Sequence, residues 1–118
     1  MDISIIEVNG KTCDVIEYYC SIFDNLNSNN FVSISKIQED RYVLEILENG
    51  EITLSDNLDA VSIVKIRHRL IILWSMRMDM RDKFQEGIIS FIEDEITRNI
   101  RIQIFPEDSY RVLEMRYV

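Results

Sequence analysis

Apolar and polar positions along this chain predict many short strands and few helices. Ile3 and Ile5 precede Asn9-Gly10, and Thr12 and Cys13 follow it. Asn-Gly tolerates the positive φ of a type I′ turn, so residues 2–8 and 11–13 are expected to pair as a hairpin. Asp14 stands three residues before Glu17 at capping-box spacing, and Val15, Tyr19, Ile22, Phe23 and Leu26 recur at helical intervals. A first helix is expected over about residues 15–26. Asn25–Asn30 then reads as a polar loop inside one domain. Phe31–Ile37 and Arg41–Leu47 are β-rich runs separated by Gln38-Glu39-Asp40, and Asn49-Gly50 turns the chain into Glu51–Leu54. Together they predict a three-stranded meander. Ser55-Asp56-Asn57 is polar and suits a helix cap or a loop.

Residues 62–78 fit two templates. As a strand, Val64, Ile66, His68, Leu70, Ile72 and Trp74 face one side and Lys65, Arg67 and Arg69 the other. As a helix, Ile63, Ile66, Leu70, Leu73 and Arg77 align. The β-branched residues between 63 and 72 and the alternation from 64 to 70 favour the strand. From Asp79 to Thr97 a second helix is expected, because Met80, Phe84, Ile88, Phe91, Ile92 and Ile96 form a stripe and Asp79 can cap it. Ile100, Ile102 and Ile104 alternate with polar residues, Pro106–Ser109 turns, and Tyr110–Tyr117 alternates again, which predicts a closing hairpin. The expected order is ββ-α-βββ-β-α-ββ. That makes a single α+β domain over residues 1–118, with a mostly antiparallel sheet and two amphipathic helices packed on it.

Composition agrees with this class. In 118 residues, 47% hydrophobic and 29% charged, Ala60 is the only alanine and Pro106 the only proline, which disfavours a helical bundle. Cys13 and Cys20 are too few for a disulfide framework or a zinc site, so free thiols and a reducing compartment are expected. The first ten residues lack the basic region of a signal peptide, and the apolar run Leu70–Trp74 is too short to span a bilayer. A cytoplasmic protein without a membrane partner is the expectation.

The net charge is −8, yet residues 62–81 hold five basic residues against one acid, with the only histidine, His68, and the only tryptophan, Trp74. The acidic total disfavours general nucleic-acid binding and suits a basic partner. No motif pairs His68 with a serine or cysteine nucleophile, and Gly10, Gly50 and Gly87 stand too far apart for a phosphate loop, so no catalytic residue is expected. Glu93-Asp94-Glu95 resembles a metal cluster, but consecutive helical side chains diverge by about 100° and cannot converge on one cation. Neither a metal nor a cofactor is therefore expected. At a helix C-terminus the triplet is unfavourable, which suggests a docking face made by Asp79, Asp82, Glu86, Glu93, Asp94 and Glu95. Aromatic anchors would come from Tyr18, Tyr19 or Tyr42. The alternative site is a strip of Lys65, Arg67 and Arg69, with Trp74 for stacking, which would take nucleic acid or an acidic ligand.

In size, acidity and mixed α+β pattern, the whole chain resembles the small cytosolic inhibitors of bacteria, among them immunity proteins that block secreted toxin domains. The resemblance is of general character and has no diagnostic residue. It implies an inhibitor that covers the substrate-binding cleft of a basic toxin or nuclease, as monomer or homodimer. An oligomerising adaptor built on exposed strand edges is a further class.

Overall fold

A computed structural model describes residues 4–25, 30–73, 83–106 and 108–118. Asn9 (φ 52°) and Gly10 (φ 79°) make the predicted tight turn between β1 (Ile5–Val8) and β2 (Lys11–Asp14). A Cβ at either of the turn glycines, Gly10 or Gly50, would meet open space, so the positive φ is what suits glycine there. Asp14 starts α1 (Val15–Asn25), its Oδ1 accepting from the amides of Ile16 (2.8 Å) and Glu17 (3.4 Å). The meander is β3 (Asn30–Gln38), β4 (Arg41–Glu48) and β5 (Glu51–Leu58). Ser55-Asp56-Asn57, expected as cap or loop, is the second half of β5, opposite Glu45, Leu44 and Val43.

The next two elements exchange their expected types. Residues 60–73 form α2 (Ala60–Leu73), not a strand. Asp59 caps it: Oδ1 accepts from the Ser62 amide at 2.8 Å, and the backbone carbonyl accepts from Ile63 at 3.1 Å. Ser62, Ile63 and Ile66 are buried together, a helical spacing, whereas Val61 and Val64 are exposed. The apolar residues lie on several sides of the helix, so their alternation imitates a strand.

Gln85 to Ile104, expected to begin inside a helix, is a β-hairpin: β6 (Gln85–Glu93), a turn at Asp94-Glu95, and β7 (Ile96–Ile104). Asp94 and Glu95 both have positive φ (51° and 64°), the backbone of a type I′ turn. Ile88, Ile92 and Ile96 are four residues apart. Four residues advance a helix by little more than a turn and return a strand to its own face, so that spacing fits both. Residues 79–82 of the expected helix lie outside the described residues. β8 (Arg111–Tyr117) completes the C-terminal hairpin.

The eight strands form one antiparallel sheet in the order β2-β1-β5-β4-β3-β8-β7-β6, so the fold is α+β and mainly β. Two meanders, β3-β4-β5 and β6-β7-β8, join where β3 pairs β8. Register aligns the core in rows. Ile46, Val32, Met115 and Ile102 lie side by side, and so do Leu44, Ile34, Leu113 and Ile104; all eight are buried. Burying each such side chain contributes about 1.5–3 kcal/mol. Val15, Tyr18, Tyr19 and Ile22 of α1 and Ile63 and Ile66 of α2 join this core. On the other face Glu45, Ser33, Glu114 and Gln103 stand in register, a polar surface.

The β1–β2 hairpin touches the rest of the sheet at one register pair, Val8 with Leu58. Side chains make up the difference. Asn9 Oδ1 accepts from the amide of Asn57 (2.6 Å) and the Asn9 amide donates to Asn57 O (2.8 Å). Ser62 Oγ accepts from the amide of Glu7 at 2.9 Å, and Lys65 Nζ donates to Ile5 O, so α2 also holds β1. No helix among the described residues is long and apolar enough to cross a membrane.

Candidate functional site: an acidic cleft beside the first helix

Attaching β1–β2 to β5 leaves a cleft of about 290 Å³ between α1 and the sheet. Ile46 and Leu54, cross-strand neighbours on β4 and β5, and Val8 of β1 supply apolar lining. Helix α1 contributes Glu17, Tyr18, Ser21 and Ile22, which its pitch places on one side. Cys13 of β2 and Asp56 of β5 complete it, and none of these residues is basic.

The polar end is fixed by hydrogen bonds. Tyr18 Oη donates to Asp56 Oδ2 at 2.9 Å, and Asn9 Nδ2 donates to Asp56 Oδ1 at 3.0 Å. Burial pushes the Tyr18 phenol well above its usual range, and the Asp56 charge adds to the shift. The Cys13 thiol is raised too, first by burial and then by the charges of Asp14, Asp56 and Glu17. Three carboxylates from β2, α1 and β5 thus act on one point. A thiol held protonated is a weak nucleophile, so the arrangement favours attracting a cation over covalent chemistry.

The residues singled out in the sequence fall elsewhere, with one exception. Tyr18 belongs to the cleft, but it and Tyr19 are core residues, 8% and 5% exposed, with little surface to offer a partner. Tyr42 is half-buried on β4. Glu86 is on β6, accepting from Gln103 Nε2 at 2.9 Å and lying 3.8 Å from Arg101 Nε. Glu93 ends β6, and Asp94 and Glu95 are exposed in its turn. With β6 a strand, the common helical face expected for Glu86 and Glu93 is not formed; Asp79, Asp82 and Trp74 lie outside the described residues. Lys65, Arg67 and Arg69 sit on α2, where alternate residues diverge by about 200° and make no single strip. His68 is half-buried on the same helix.

Asp14, Glu17 and Asp56 were not singled out as a site. The first two were legible as a helix cap. Asp56 joins them only through the β1–β5 contact, which no local pattern announces. No protein-family model matches the chain, and comparison with curated proteins finds no relative.

Proposed function

We propose that this chain is a small acidic cytoplasmic binding protein of the inhibitor or immunity type, which neutralises a basic toxin or nuclease by covering its substrate-binding cleft. The supporting observation is the cleft beside α1, where apolar walls meet Glu17 and the oriented Asp56, with Asp14 close by and no basic residue in the lining. Such a site suits an arginine or lysine of the partner: its aliphatic stem covers Ile46 and Leu54 and its charged head meets the carboxylates. The net charge of −8 steers a basic partner towards it. The reaction is occlusion, and no bond is made or broken.

The test begins with the basic protein that co-purifies from the native host and measures association against ionic strength. A rate that falls with salt, and falls about tenfold in the charge reversal Glu17→Lys, supports the proposal. A salt-independent rate, unchanged in Glu17→Lys, overturns it. So does isolation of a tight complex with nucleic acid and no protein.

A further inference from the structure

The two ends of the sheet differ in a way the acidic cleft does not explain. At one end β2 has four residues and includes Lys11, two of the devices that blunt a strand edge. At the other end β6 has nine residues and pairs β7 without a bulge from Gln85↔Ile104 to Glu93↔Ile96. It contains no lysine and no proline, and among the described residues its second edge has no strand beside it. The molecule fills the equivalent edge elsewhere. The runs α1-β3-β4-β5 and α2-β6-β7-β8 share one element order, and the outer edge of β3 is occupied by β8. β6 stands where β3 stands, and among the described residues no strand fills that place.

On its exposed face this edge carries two large apolar side chains beside Glu86 and Ser90. Ile88 and Ile92 are 57% and 77% exposed, and Ile88 lies opposite Arg101, so both project away from the buried row of Ile100, Ile102 and Ile104. The hairpin closes on the pair Glu93↔Ile96 across a two-residue turn, so the odd positions of β6 bond to β7. The amides and carbonyls of Glu86, Ile88, Ser90 and Ile92 therefore point outward.

We propose that β6 is a dimerisation edge, pairing antiparallel with β6 of a second copy about a two-fold axis at Ile89. In a second copy, β2 is short and, among the described residues, the long edge without a neighbouring strand is β6 itself, so a self-complementary closed contact is the fitting one. The register centred on residue 89 places the outward positions opposite each other, Ile88 with Ser90 and Glu86 with Ile92. It also sets Glu93 against Gln85, so no two acids are opposed. A shift that pairs residue 90 with itself would put Glu86 against Asp94, at a cost. On the exposed face, Ile88 and Ile92 of both copies become diagonal neighbours and cover one another. The result is one continuous sheet through two chains.

Sedimentation equilibrium of the full chain, from about 1 to 200 μM, tests this. The expected result is a concentration-dependent dimer of twice the chain mass. Its dissociation constant should rise at least tenfold in Ile92→Glu, which sets a second acid opposite Glu86 of the other copy, and in Ser90→Pro. Proline removes an amide that faces outward, which a strand edge tolerates. Circular dichroism checks that each variant is folded, and if Ser90→Pro is not, Ile92→Glu at the exposed position decides the matter. A monomer throughout overturns the proposal, as does a dimer indifferent to both substitutions. A mass that climbs without closing also overturns the two-fold arrangement. β6 shares no residue with the acidic cleft, so partner binding by a protein that stays monomeric separates this failure from failure of the inhibitor reading.

Discussion

Asn9 holds a turn at φ 52° and also fastens that turn to β5, through its backbone amide, its side-chain oxygen Oδ1 and its side-chain nitrogen. The two roles can be separated. Asn9→Gly keeps the backbone conformation and removes the side-chain bonds, so it should destabilise the protein by about 1–2 kcal/mol in urea unfolding. An unchanged midpoint would show that the clasp holds nothing. Cys13 reports the charge of the cleft without any partner. Burial and three carboxylates raise its thiol, so at pH 8 it should alkylate more slowly than a free cysteine. In a Cys20→Ser background, iodoacetamide should react faster after Glu17→Gln, because one of the acids opposing the thiolate is gone. An equal rate would remove Glu17 from that field.

Among the elements, α2 depends most on one residue. Hydrogen bonds from the Ser62 side chain and amide hold the Asp59 carboxyl below its usual range. The folded value lies below the unfolded one of about 3.9, so this contribution is complete above about pH 4 and is lost as pH falls through the folded value. Asn also caps helices, so Asp59→Asn should leave stability at pH 7 nearly intact and flatten its decline below about pH 4. Urea midpoints across that range would show it; parallel curves for the two proteins would refute it. The elements also show what was legible. Asn9-Gly10 and Asn49-Gly50 marked their turns because few other residues accept that backbone, and Asp14 marked the start of α1. Residues 60–73 and 85–97 misled for a common reason, since spacings of two and four serve both periods. The useful sign was the triplet Glu93-Asp94-Glu95: its poor fit to a helix end reflected a turn rather than a tolerated defect.

For the whole molecule, the centre of the sheet and its surface should respond differently to the same change. Ile102 is fully buried between β8 and β6, and Ile102→Ala should cost about 2–5 kcal/mol. Ile52→Ala, on an exposed part of β5, should stay within about 0.5 kcal/mol, as calorimetry of both would show. Class and charge could be read from the chain because each sums local contributions. The cleft could not, because Glu17 and Asp56 come to line it together only once β1 docks on β5. Within the basic run, Lys65 hydrogen-bonds the β1 backbone, which a strip of charges in sequence does not disclose.

The single register pair between β1 and β5 has a further consequence, for the order of assembly. The β1–β2 hairpin closes locally and quickly, but its docking sites, Asn57 and Ser62, lie 48 and 55 residues away in the chain. Closing loops of that length is slow relative to forming the meanders, so the hairpin should dock after the rate-limiting step. Stopped-flow kinetics of Asn9→Gly should then show unfolding accelerated and refolding nearly unchanged. The N-terminal hairpin would act as a latch that sets the lifetime of the folded state and leaves its rate of formation alone.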